Sequence, residues 1–168
     1  MDHPLLVLTA VFPLLVVIAA LKDVTTFTIP NWISIALVAA FYPVALALHA
    51  PPGVIGICTL VGAGALLVGM VMFALNWIGG GDAKVLAASA LWIGWPAVLP
   101  FVLATAVAGG ALALILVQMR SAMMRPWFER GPPWVVRLAT EGGDAPYGVA
   151  ICVGALFALP QSALFHLG

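Results

Sequence analysis

Charge is what this chain has least of. Of its 168 residues only 7% are charged, and six Lys and Arg balance six Asp and Glu to a formal net charge of zero. A soluble domain carries roughly 25% charged residues. With 64% of residues hydrophobic and a mean hydropathy of +1.20, the chain reads as one whose solvent is mostly lipid. The missing basic excess excludes an extended nucleic-acid surface. Cysteine is almost absent as well: Cys58 and Cys152 both stand in apolar runs, with no His or Cys at ligand spacing. That excludes a zinc cluster and leaves structural thiols in helices, with no metal or cofactor expected. The N-terminus lacks a basic region, so a cleaved secretory signal is not expected.

So few charges divide the chain by themselves. Leu5 to Leu21 is uncharged, Trp32 to Ala50 carries only His49, and Pro51-Pro52-Gly53 marks a turn before the uncharged run from Val54 to Ile78. Gly79-Gly80-Gly81-Asp82-Ala83-Lys84 interrupts, Val85 to Met119 is again uncharged, and Pro146 to Gly168 is apolar to its end. A spanning helix needs about 20 residues. As one helix the run from Val85 to Met119 would measure roughly 52 Å, too long for a hydrocarbon core of about 30 Å. Two spans turning near Gly94-Trp95-Pro96 to Pro100 fit better. The expected fold is an all-α bundle of six transmembrane helices, one domain over 1–168, with spans at about 5–22, 31–50, 54–78, 83–99, 101–119 and 146–166.

Six spans put the segments 22–31, 79–84 and 120–145 on one face. That face then holds Lys22, Lys84, Arg120, Arg125, Arg130 and Arg137, every Lys and Arg of the chain. Positive residues mark the cytoplasmic side, so both termini are expected on the other side of a cell inner membrane. Five spans would put the four arginines opposite the two lysines.

The same face takes five acids, Asp23, Asp82, Glu129, Glu141 and Asp144. Acids at the ends of spanning segments are functional candidates. An Asp just past a helix end is also an ordinary cap or boundary residue, and Glu129 and Glu141, among arginines, read as solvated. Asp82 differs in following three glycines at the start of a helix. Bare backbone there lets an extended peptide approach and pair with Gly79, Gly80 and Gly81. The segment is no phosphate loop, since it does not fit G-x-x-x-x-G-K-[ST]. Asp23 closes the first helix, and Ile29-Pro30-Asn31 starts the second with a proline suited to a helix start. Two carboxylates from two helix ends at one membrane depth have the makings of an aspartyl dyad, one protonated and one activating water.

Asp23, five residues, Ile29-Pro30-Asn31, and later Gly79-Gly80-Gly81-Asp82-Ala83-Lys84 followed by Val-Leu-Ala-Ala, together resemble the type IV prepilin leader peptidases, the GxGD-type intramembrane aspartyl proteases. Pro146-Tyr147-Gly148 is similar to the start of that family's last helix. The resemblance implies cleavage of a basic leader from a prepilin or pseudopilin, after a Gly, at the cytoplasmic face. It implies Asp23 and Asp82 as the catalytic pair, Gly79 and Gly81 as motif glycines, and Lys84 as a supporting residue. The short loop from Asp23 to Asn31 has no Cys-bearing insert, so peptidase without methyltransferase activity is expected. Between Asp23 and Ile29 the chain has Val24-Thr25-Thr26-Phe27-Thr28, where family members usually carry basic residues. Flp-type pilus systems and type II secretion systems both stay open as the source of substrate.

Other features are weaker. Gly142-Gly143-Asp144-Ala145 repeats the Gly-Gly-Asp-Ala of residues 80–83, but Asp144 is followed by Pro146 without a Lys and ends an Arg-bearing loop, so an N-cap is expected there. The segment 120–145, with Trp127 and Trp134, either lies in the lipid headgroup layer or only sets topology. Gly62, Gly64, Gly109 and Gly110 are expected to permit close helix packing. His3, His49 and His166 fall on the far face. The rival function is a small proton-coupled transporter or a non-enzymatic assembly subunit, whose acids would more naturally stand mid-span.

Overall fold

The computed structural model describes residues 3–128, 130–140, 143 and 145–167, with only the backbone described for 3–9 and 167. It is 79% helix, without a strand among the described residues, in keeping with the all-α class read from composition. The helices are α1 (His3–Thr26), α2 (Asn31–Ala47), α3 (Pro52–Ala74), α4 (Gly80–Ile93), α5 (Val98–Arg120), the short α6 (Arg125–Phe128) and α7 (Pro133–Leu138), and α8 (Tyr147–Ala158), which runs on into a 3-10 turn at Leu159–Gln161.

Proline and glycine set most of these boundaries. Pro30 precedes α2, Pro51 precedes α3 with Pro52 in its first turn, and Pro132 precedes α7 with Pro133 in its first turn. At the end of α4, Gly94 adopts φ 67°, a left-handed conformation that stops the helix. The uncharged run from Val85 to Met119 is thereby two helices, α4 and α5.

Among the described residues two helices, α3 and α5, are long and apolar enough to cross a membrane. Each has 23 residues, with a mean hydropathy of 2.4 or 2.3 and only 17% of its apolar stretch buried. A core helix of a soluble protein would be mostly buried. Here Leu60, Leu67 and Val71 on α3 and Leu103, Val107 and Leu114 on α5 stand at least 60% exposed, an outer surface suited to hydrocarbon.

The most enclosed helix is α4, whose residues are buried from Val85 to Ile93 with one exception, the partly covered Leu86. Trp92 is fully buried at its far end. Its ring stacks on Phe12 of α1 at 5.2 Å and meets Phe41 of α2 edge-on at 5.8 Å. Its indole N–H donates to the carbonyl of Leu37 at 2.8 Å, so no polar atom of the ring is stranded. Helix α3 lies against α4 at two glycines. A Cβ on Gly62 would come within 2.9 Å of the Leu91 Cβ, and one on Gly69 within 3.1 Å of the Ala83 Cβ. Helices α5 and α8 meet the same way, with Gly154 against Thr105 and Phe101 and Gly109 under the Tyr147 hydroxyl.

Two of the four glycines expected at helix crossings are therefore elsewhere. Gly64 and Gly110 face open space, and Gly69 and Gly154 take the close contacts instead. The physical reason is plain. On helices this uniformly apolar, a glycine marks a permitted approach without saying which face is approached.

Candidate active site

Asp23 lies in the last turn of α1, which runs three residues past it, and Asp82 lies in the first turn of α4. Gly80 and Gly81 belong to α4 itself, so the helix opens earlier than Ala83. Both aspartates are buried, Asp23 at 5% exposure and Asp82 at 8%.

Each carboxylate is held by a main-chain N–H. The amide of Gly148, in the first turn of α8, donates to Asp23 Oδ2 at 2.7 Å. The amide of Gly79 donates to Asp82 Oδ2 at 3.3 Å, the return half of a capping box in which glycine has no side chain to give. The other oxygen of Asp82, Oδ1, is buried without a hydrogen-bond partner among the described residues.

The two carboxyls are close enough to interact electrostatically.

Ile29 joins the two halves. It is buried, and its side chain touches the places where a Cβ would stand on Gly81, at 3.1 Å, and on Gly148, also at 3.1 Å. A Cβ on Gly148 would in addition come within 2.9 Å of Asp23 Oδ2. Glycine suits both positions by close approach, since a side chain at either would press on Ile29, and at Gly148 on Asp23 as well. Beside them, Lys84 Nζ donates to Asn31 Oδ1 at 2.8 Å, tying α4 to α2. Lys84 is two residues from Asp82 and so on the other side of α4. There it borders an apolar groove of about 710 Å³ between α2, α3 and α4, with Ser34, Val38, Ala87 and Leu91 in its walls.

The other residues singled out in the sequence take supporting places. Pro30 and Pro146 stand immediately before α2 and α8, and a Cβ on Gly80 would meet the ring of Phe73 at 3.4 Å. Tyr147 reaches across to Gly109 of α5. Glu129, Glu141 and Asp144 lie outside the described residues.

Sequence reasoning overlooked two features. One is the Gly148 amide as the donor to Asp23, because every residue but proline has that donor and none advertises its use. The other is Phe27, which adopts φ 56° four residues after Asp23, under the guanidinium of Arg137. An aromatic residue gives no sequence signal for a left-handed conformation.

Two neighbouring buried carboxyls, when they share a proton, can activate water and polarise a carbonyl, the requirements of aspartyl peptide hydrolysis. A family profile described as the type IV leader peptidase family matches residues 10–114. That is more than half of the chain, and it takes in Asp23, Ile29-Pro30-Asn31 and the whole of Gly79 to Lys84. No curated protein and no solved structure matches significantly. On the strength of that profile the chain belongs to the type IV leader peptidase family, whose members are hydrolases of leader peptides.

Proposed function

We propose that the protein is a membrane aspartyl endopeptidase that removes the leader from type IV prepilin-like substrates, Flp-type prepilins or type II secretion pseudopilins, with Asp23 and Asp82 as its catalytic pair. The observation that carries this reading is the buried, unpartnered Oδ1 of Asp82 beside a second buried carboxylate. A purely structural pair of acids would have its oxygens bonded.

The environments divide the roles. Asp23, with the Gly148 amide holding Oδ2, is the base, and Asp82 is the acid. Asp23 takes a proton from water as the water oxygen attacks the scissile carbonyl carbon. Asp82 gives its proton to the carbonyl oxygen, producing a neutral gem-diol. On collapse the C–N bond breaks, Asp82 recovers a proton from a diol hydroxyl, and the leaving amine takes the proton held by Asp23. The glycines ahead of α4 leave main chain bare for an extended substrate to lie against.

In this reading α1 to α5 and α8 are six spans, the α5–α8 connection is cytoplasmic, and both termini are on the opposite side of the inner membrane. All six Lys and Arg then share the cytoplasmic face with the dyad. The absence of any insert between Asp23 and Asn31 supports peptidase activity alone. Incubating the purified protein, in lipid, with a panel of prepilins and pseudopilins tests the proposal. A product shortened at the leader is expected, and its absence from every substrate, with the protein folded, would overturn it.

A further inference from the structure

We infer that Arg137 is a positioning residue for Asp23, acting through Phe27; the part played in cleavage rests on the peptidase reading above, the coupling of the two side chains does not. The guanidinium carbon of Arg137, in α7, lies 4.4 Å from the centroid of the Phe27 ring, within the range of a cation–π contact.

Phe27 occupies the point where the chain leaves α1. Its N–H donates to the carbonyl of Asp23 at 2.8 Å, and its φ of 56° turns the backbone out of the helix. A bulky residue holds such a conformation only where its surroundings fix it. Two residues later Ile29 is set against Gly81 and Gly148, the residues that flank the two aspartates. The direction in which Phe27 turns the chain therefore decides whether Ile29 reaches them.

Two sets of contacts fix that turn. On one side, the hydroxyls of Thr25 and Thr26 donate to the carbonyls of Leu21 and Lys22, each at 2.7 Å, holding the end of α1. On the other side is Arg137. The stretch from Val24 to Thr28 has no charge of its own, so the cation over it comes from a segment more than a hundred residues further along. That segment is anchored. Arg120 Nε, at the end of α5, donates to the Leu138 carbonyl at 2.9 Å, and Leu138 and Ala139 are buried. Arg137 is thus mounted on a fixed strut between α5 and the Asp23 link, and its planar fork suits stacking on a ring better than a lysine would.

The test is a double-mutant cycle with Arg137→Gln, Phe27→Leu and the pair together, with Arg137→Lys as the conservative variant. Two readouts are taken: prepilin cleavage kinetics, and the mobility of a nitroxide on Thr28→Cys in a variant lacking Cys58 and Cys152. Arg137→Gln should lower kcat roughly tenfold with KM unchanged, since it loosens the geometry of the dyad and not substrate binding. Phe27→Leu should do the same, and the double variant should be no worse than either single one. The label should become more mobile in Arg137→Gln and Phe27→Leu, while Arg137→Lys stays nearer the unaltered protein in both readouts. Additive effects, a raised KM with kcat intact, or an immobile label in Arg137→Gln would each overturn the inference. If the unaltered protein cleaves no prepilin, the peptidase reading fails by itself, and the label still decides whether Arg137 holds the link through Phe27.

Discussion

The main-chain N–H of Gly148 donates to Asp23 Oδ2 at 2.7 Å, across 125 positions of sequence. It joins the end of α1 to the start of α8. Gly148→Ala should therefore cost activity. Its Cβ would stand 2.9 Å from that oxygen and 3.1 Å from Ile29 Cδ1, so the amide must withdraw. A fall in kcat of roughly 10- to 100-fold is expected from a displaced donor of this kind. Gly110→Ala, where a Cβ meets open space, should cleave normally and serves as the control in the same assay.

Asp23→Asn and Asp82→Asn keep shape and lose acid–base function. Each should insert normally and lose cleavage by about 10²- to 10⁴-fold or more. Asp144→Asn, in the sequence that repeats Gly-Gly-Asp-Ala, should retain most activity because Asn caps a helix as Asp does. A dead, correctly inserted Asp144→Asn would transfer the role away from the residues assigned here.

Orientation can be read in intact cells. In a variant without Cys58 and Cys152, Trp127→Cys should be shielded from a membrane-impermeant thiol reagent, and Pro51→Cys should react. Both positions are exposed in the fold, so protection reports the membrane and not burial. The reverse pattern would put the dyad outside the cytoplasm.

What could be read from sequence follows from how rare polar chemistry is in this chain. Asp23, Asn31, Asp82 and Lys84 stand out because nearly everything around them is apolar, and the structure brings all four to one end of the bundle. Contacts made by ordinary backbone or by apolar faces left no such trace. The Gly148 amide, the left-handed Phe27 and the exchange of Gly64 and Gly110 for Gly69 and Gly154 all belong to this class. A stripe of Leu, Val and Ala looks alike whether it meets a neighbouring helix or lipid, so the facing of each helix is decided only by packing.

The bond between Asp23 and Gly148 also sets an order of events during synthesis. Asp23, Ile29 and Asp82 leave the ribosome well before residue 148 exists, and until then Asp23 Oδ2 lacks the amide that holds it. A nascent chain carrying both aspartates therefore still lacks the contact that holds Asp23 in place, and the site is completed only when α8 joins the bundle.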